Sequence, residues 1–290
     1  MPVARVVAVV LVALVAAGAA GAARRGPCGT AAARARPKHV IWIWMENETY
    51  SSVIGNRSAP FLTQLARECG VATNYDAISH PSLPNYIAAT SGGTWGIADD
   101  QGPASHRVAR ASIFSQLTAA GLSWRSYEES MPVSCDLSDA GEYAVKHNPA
   151  AYYTGIRSDC RKWDVPFADL EAELASGRLP SFSFVTPNLC DDAHSCPLAS
   201  GDAWLRLWVA RIVDSPSFES TVLFVTFDEG SAASNRVPTV VVSPSTRPGT
   251  RSTARFDHYS LLRTTEQLLG LHRYLAHAGD AASMRAAFHL

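Results

Sequence analysis

Seven consecutive residues, His39-Val40-Ile41-Trp42-Ile43-Trp44-Met45, include no acidic, lysine or arginine side chain and are rich in β-branched and aromatic groups. A run this short and this apolar fits a strand covered on both faces, since neither side can be turned to water. Thr221-Val222-Leu223-Phe224-Val225-Thr226-Phe227 repeats the pattern. Ser181 to Val185 and Val237 to Ser243 read as two more strands, and Trp124 to Tyr127 as a weaker one. Helical stretches lie between them. Ser58-Ala59-Pro60 starts a helix that runs to about Cys69, with Gly70 as its stop. Ser112 to Gly121 and Pro166 to Gly177 follow, and Trp204, Leu205, Trp208 and Ile212 share one face of a helix over Asp202 to Val213. His258 to Leu271 is the last. Strands alternating with helices predict an α/β fold, a three-layer sandwich with a mainly parallel central sheet.

In such sheets ligands gather beyond the C-terminal ends of the strands. Three of the apolar strands end in polar clusters: Glu46-Asn47; Pro187-Asn188 followed by Asp191, Asp192 and His194; and Asp228-Glu229. Any one of these is an ordinary polar turn by itself. Their coincidence at the ends of buried strands points to a site. Glu46, Asn47, Asp228 and Glu229 are hard oxygen donors. They suit a divalent metal ion of the Mg, Ca or Mn type, and zinc less well for want of nitrogen or sulfur ligands.

Ser79-His80-Pro81-Ser82-Leu83-Pro84-Asn85-Tyr86 precedes an apolar helical run that ends near Gly92-Gly93. Pro84 suits a first helical turn, where a missing N–H costs nothing. Ser82 then stands at a helix N-terminus, where free N–H groups and the helix dipole favour an anion. The bland reading is a serine cap behind a proline-rich turn. The chemical reading is a hydroxyl that attacks a bound anion once its proton is removed. His80, His147, His194 and His258 fall near other breaks in the pattern, and Asp257 before His258 is a good helix cap.

Arg5, the apolar stretch Val6 to Val15, and the small residues Ala17 to Ala22 predict a signal peptide over residues 1–23. A flexible leader over 24–38 and a single domain over 39–290 follow. Residues 6 to 23 fall short of the roughly 20 apolar residues of a membrane span. Six cysteines in an exported chain read as three disulfides; fifteen pairings are open, and proximity favours Cys190 with Cys196 and Cys135 with Cys160, leaving Cys28 with Cys69. The net charge of -1 gives no reason to expect nucleic acid as a partner.

Trp44 to Tyr50, Ser79 to Tyr86, Lys146-His147-Asn148-Pro149, Pro187-Asn188 with Asp192 and His194, Gly201 to Leu205, Thr226 to Gly230 and Asp257-His258-Tyr259 occur in an order that resembles the bacterial phosphoesterase family of phospholipases C and secreted acid phosphatases. The resemblance spans about residues 38 to 271 and implies an alkaline phosphatase-like fold. It implies Ser82 as nucleophile and Glu46, Asn47, Asp228 and Glu229 as metal ligands. It implies His147 and His194 as groups that hold phosphate or protonate the leaving oxygen, and Asn47, His80, Asn85 and His258 as substrate contacts. The compact length is most similar to exported acid phosphatases of the phosphatidylinositol-3-phosphatase kind. The expected activity is hydrolysis of small-molecule or lipid phosphate monoesters. A phospholipase C that cleaves diesters and an exported anion-binding protein without chemistry are the alternatives.

Overall fold

A computed structural model describes residues 1, 26–32, 36–230 and 234–290. Apart from Met1, the expected signal peptide over 1–23 lies outside the described residues. The strands are β1 His39–Met45, β2 Gly70–Ala72, β3 Tyr75–Asp76, β4 Trp124–Glu128, β5 Asp164–Pro166, β6 Phe182–Thr186, β7 Thr221–Phe227, β8 Thr239–Val242, β9 Thr250–Ser252 and β10 Phe256–Asp257. Eight of them form one sheet in the order β5-β4-β6-β1-β7-β8-β2-β9. Neighbours from β5 to β7 are parallel, and β8 alone runs antiparallel to its neighbours. β3 and β10 form a separate parallel pair. The fold is the expected α/β sandwich with a mainly parallel sheet.

β1 lies between β6 and β7, with Trp42 level with Phe184 on one side and Phe224 on the other. Both of its edges are therefore paired, and Val40 to Met45 are buried on both faces. Val40, Trp42 and Trp44 point one way, because side chains alternate along a strand. Trp42 donates from Nε1 to Thr265 Oγ1 at 2.9 Å, and the Trp44 ring lies tilted 4.9 Å from Tyr86 and 4.7 Å from His258. The helices Ser82–Ser91 and His258–Leu268 thereby cover that face. Met45 points the other way, onto the helix Leu198–Val213. A Cβ at Gly201 would sit 2.8 Å from Met45 Cε and 3.2 Å from the Asp191 carbonyl oxygen, so the helix passes close to the end of β1 here. Asp202, in the same helix, accepts the N–H groups of Leu62 and Phe61 at 2.8 and 2.9 Å. It caps the helix Pro60–Glu68, whose first-turn N–H groups have no partner of their own.

The consequence of strand order is that Met45, Thr186 and Phe227, the last residues of β1, β6 and β7, lie side by side. The three polar clusters that follow them in sequence share one edge of the sheet.

Several boundaries differ from expectation. The Leu198 helix starts four residues early, behind Pro197, which is compatible with an N-cap. Pro166 ends β5 instead of opening a helix, which runs from Ala168 to Ser176. β2, β5 and β9 are three residues each, too short to leave a periodic trace. The leader over 24–38, expected to be loose, is tied down where it is described: Cys28 is buried in a disulfide with Cys69, and Ala31 N–H donates to Pro244 O at 3.0 Å. The other disulfides are Cys135–Cys160 and Cys190–Cys196. Among the described residues no helix is long and apolar enough to cross a membrane.

Two buried acids stand behind the His147–Asn148 turn. Asn148 Nδ2 lies 2.9 Å from both carboxyl oxygens of Asp164 on β5. Glu128 is buried on the adjacent β4. Burial, with the charge of Asp164 added, holds the Glu128 carboxyl well above its ordinary range, and burial lifts Asp164 to about 7. The native chain therefore keeps protons that the unfolded chain releases, so this pair withdraws stability as pH rises from about 4 to neutrality. Thermal melts are expected to give a higher midpoint at pH 5 than at pH 8, and Asp164→Asn is expected to shrink that difference. An unchanged difference in the variant would remove the pair as its cause.

Candidate active site

Ser82 is the first residue of the helix Ser82–Ser91, behind Pro81 at the cap position. Every residue of this helix is buried, and Gly92 ends it at φ 78, a left-handed conformation open to glycine. Ser82 Oγ donates to Glu46 Oε2 at 3.1 Å. One turn further on, where side chains four apart share a helix face, the Tyr86 hydroxyl donates to Glu46 Oε1 at 2.5 Å. Glu46 comes directly after β1 and is fully buried. Asn47 follows at φ 59, a conformation that asparagine tolerates better than most residues. This sets its N–H 3.0 Å from Asp228 Oδ1 and its side-chain amide 3.3 Å from Glu46 Oε2.

His147 closes a single 3₁₀ turn and is 2% exposed. Its Nε2 lies 3.3 Å from Glu46 Oε1 and its Nδ1 3.2 Å from Asp192 Oδ2. Among the described residues the Nε2 and Oδ2 atoms meet no partner with hydrogen-bond alignment, so these are ion-pair contacts. The ring stacks on Tyr86 at 5.3 Å. Burial pulls the imidazole pKa down, but the charge of Glu46 and the Asp192 contact more than offset it, and the value reaches about 10. Burial likewise pushes Glu46 up, His147 outweighs it, and the carboxyl falls to about 2. A buried imidazolium–carboxylate pair therefore faces Ser82. Asp192 also accepts His194 N–H on Oδ1 at 2.7 Å, and its carbonyl accepts Glu46 N–H at 2.9 Å.

His194 stands at the exposed rim, in the loop closed by Cys190–Cys196. Its Nε2 lies 3.5 Å from Lys146 Nζ. Replacing both cysteines with serine is expected to loosen this loop and to lower kcat by about ten- to a hundredfold, since misplacing a catalytic group by about 1 Å has that effect. Turnover within twofold of the parent would separate the loop from the chemistry.

Asp228 and Glu229 follow β7. Asp228 is fully buried, and its Oδ2 has no hydrogen-bond partner among the described residues. Burial, then the charges of Glu46 and Glu229, push its carboxyl well above the ordinary range. Burial first and Glu46 second raise Glu229 to about 7. Carboxylates crowded at two strand ends, one with an orphaned buried oxygen, are a donor set that a divalent cation satisfies. A second set overlaps it: ligand atoms of Glu46, His147 and His194 all lie within 4.8 Å of one another.

The remaining expected residues divide. His80 is at the mouth, with Nδ1 2.8 Å from Glu229 Oε2 and its side chain 46% exposed. Asn85 is fully buried; its Oδ1 accepts Ile78 and Ser79 N–H, both at 2.9 Å, so it shapes the loop before Ser82. His258 is not brought to the pocket surface. Its ring is buried, Nε2 meets Asp228 O at 2.6 Å and Nδ1 meets the Tyr75 hydroxyl at 3.0 Å, so it braces the Asp228 turn. Tyr86, Lys146 and Asp100 carry parts of the site that sequence reading passed over. Tyr86 was readable from its four-residue distance to Ser82, and Lys146 from its place beside His147. Asp100 left no signal.

A model of the Phosphoesterase family matches residues 44–272. A phosphatidylinositol-3-phosphatase of Mycobacterium tuberculosis is 34% identical over 244 residues, covering 83% of this chain and 80% of that protein. A probable acid phosphatase of Kluyveromyces lactis is 30% identical over 84% of this chain and 61% of its own length. An acid phosphatase of Aspergillus fumigatus is 29% identical, and the chain covers 54% of it. Thus the chain spans little more than half the length of the fungal relatives. A solved Vibrio parahaemolyticus protein of the alkaline phosphatase superfamily superposes with a TM-score of 0.59 at 13% identity, over 90% of this chain and 73% of that one.

Proposed function

The chain belongs to the Phosphoesterase family, and from that premise we propose that it is an exported, metal-dependent acid phosphatase that hydrolyses phosphomonoesters through a phosphoserine at Ser82. The observation that carries this reading is the Ser82 hydroxyl, held 3.1 Å from a buried carboxylate at the first turn of a buried helix. Export is supported by the apolar N-terminal stretch and by three disulfides. The M. tuberculosis relative bears the name of a phosphoinositide phosphatase, which makes lipid phosphomonoesters a substrate class to test.

The mechanism follows from the residues. Glu46, Asn47, Asp228 and Glu229 would hold the divalent cation through their oxygen atoms. When bound, the cation lowers the serine pKa and offsets negative charge on the phosphoryl oxygens. Glu46 Oε2 orients the Ser82 hydroxyl, whose proton passes to solvent as Oγ bonds to phosphorus in line and the bond from phosphorus to the leaving alcohol breaks. Imidazolium His147, fixed between Glu46 and Asp192, keeps positive charge against the pocket wall. His194, at the rim, protonates the leaving alcohol and then takes a proton from the water that cleaves the phosphoserine.

A phosphate-release screen over monoesters, diesters and phosphoinositides, with and without chelator, tests the reading. Monoesters should release phosphate and chelator should stop it. Turnover of diesters alone would favour a phospholipase C, and binding of phosphate without turnover of any ester would leave an anion-binding protein.

A further inference from the structure

We propose that Lys146 binds a non-bridging oxygen of the substrate phosphoryl group, that Asp100 is the positioning residue that holds it there, and that the pair selects phosphomonoesters over diesters. One carboxylate links the cation to the nucleophile's helix. Asp100 Oδ1 accepts Leu83 N–H at 2.9 Å, one residue past Ser82, and Oδ2 accepts from Lys146 Nζ at 3.0 Å. Nζ also lies 3.5 Å from His194 Nε2, and His194, His147 and Glu46 have ligand atoms within 4.8 Å of one another. The ammonium therefore borders the place where a phosphoryl group meets Ser82, and its side chain is only 20% exposed.

Donor count and charge both favour this role. An ammonium has three N–H groups and no acceptor. Asp100 takes one, the long contact to His194 occupies a second weakly, and a third is left for an incoming oxyanion. Glu46, Asp192, Asp228 and Glu229 line the same centre, and acids repel a phosphate. A phosphomonoester at pH 7 carries close to two negative charges, whereas a diester carries one, so a fixed cation favours the monoester. Lysine is a point charge on a flexible stem and needs a holder to act at a fixed place. Asp100 is such a holder, because the Leu83 N–H fixes it to the helix and the Tyr152 hydroxyl pins the next residue through Gln101 O at 3.2 Å. The selectivity rests on the monoesterase reading; the anion contact does not.

The test compares the full chain with Lys146→Met, Lys146→Arg and Asp100→Asn, each checked by near-UV circular dichroism. Orthophosphate binding is measured by calorimetry, and kcat/KM at pH 7 with p-nitrophenyl phosphate and with bis(p-nitrophenyl) phosphate. Lys146→Met is expected to weaken orthophosphate binding at least about tenfold, the effect of losing one partly buried charge contact. It is expected to lower kcat/KM for the monoester on the order of a hundredfold, mostly through KM, and for the diester by less than about threefold. Lys146→Arg should restore most of the loss, and Asp100→Asn should raise KM more than it lowers kcat. Orthophosphate binding by Lys146→Met within twofold of the parent would overturn the anion contact, and equal losses on both esters would overturn the selectivity. A parent protein that releases no phosphate from monoesters would reject the proposed function, yet the orthophosphate measurement would still decide the role of Lys146.

Discussion

Ser82→Ala protein is expected to fold as the parent does and to release no phosphate. The substitution removes one hydroxyl and one hydrogen bond to a carboxylate, and Glu46 keeps Tyr86, Asn47 and His147 as neighbours. Losing a hydrogen bond to a charged group costs about 1.5–3 kcal/mol, little enough for a domain of this size to stay folded. Activity is expected to fall by on the order of 10⁴-fold or more, the scale at which loss of a covalent nucleophile registers. Acid quench of the parent protein with substrate should trap phosphate on Ser82. A bare phosphoryl adduct fits a monoesterase, and an adduct that keeps one alcohol fits a diesterase. Turnover by Ser82→Ala near the parent's rate would reject both.

Asp228→Asn is expected to move activity and stability in opposite directions. Asparagine keeps an oxygen for the Asn47 N–H, so the turn after β7 survives. It removes a buried carboxyl whose ionisation is opposed by burial and by the charges of Glu46 and Glu229. In chelator the variant should melt higher than the parent, by about 2–4 °C for each kcal/mol of repulsion relieved. Catalysis should drop by at least about a thousandfold for want of a ligand. Added Mg, Mn or Ca is expected to raise the melting point of the parent, by about 2.7 kcal/mol of stabilisation at a hundred times the dissociation constant, and to leave Asp228→Asn nearly unmoved. A variant that melts lower than the parent in chelator would reject the relief of repulsion, and one that responds to metal as the parent does would show that Asp228 is no ligand.

What the sequence disclosed and what it hid divide along physical lines. His39–Met45 and Thr221–Phe227 were legible because burial on both faces removes polar residues from the whole run. Ser82 and the polar clusters after the strands were legible because each follows an abrupt change of pattern. The side-by-side placement of β6, β1 and β7 was not, since strand order depends on long-range packing that leaves no local periodicity. His258 was misjudged for a related reason. A histidine at a helix start looks available, and only the packed structure sets both ring nitrogens against Asp228 O and Tyr75. Asp100 was invisible because its partners, Leu83 and Lys146, are 17 and 46 residues away.

The order β6-β1-β7 bears on how such a chain matures. Ser82 meets Glu46 across 36 residues, His147 meets Glu46 across 101 (147 minus 46), and Asn47 meets Asp228 across 181. No local segment contains the working arrangement, and pairings this distant in sequence close late because the chain entropy must be spent first. Partly folded chains with intact helices would thus be catalytically silent. Recovery of turnover during refolding would report closure of the central three strands, a step that helical circular dichroism reaches earlier and cannot time.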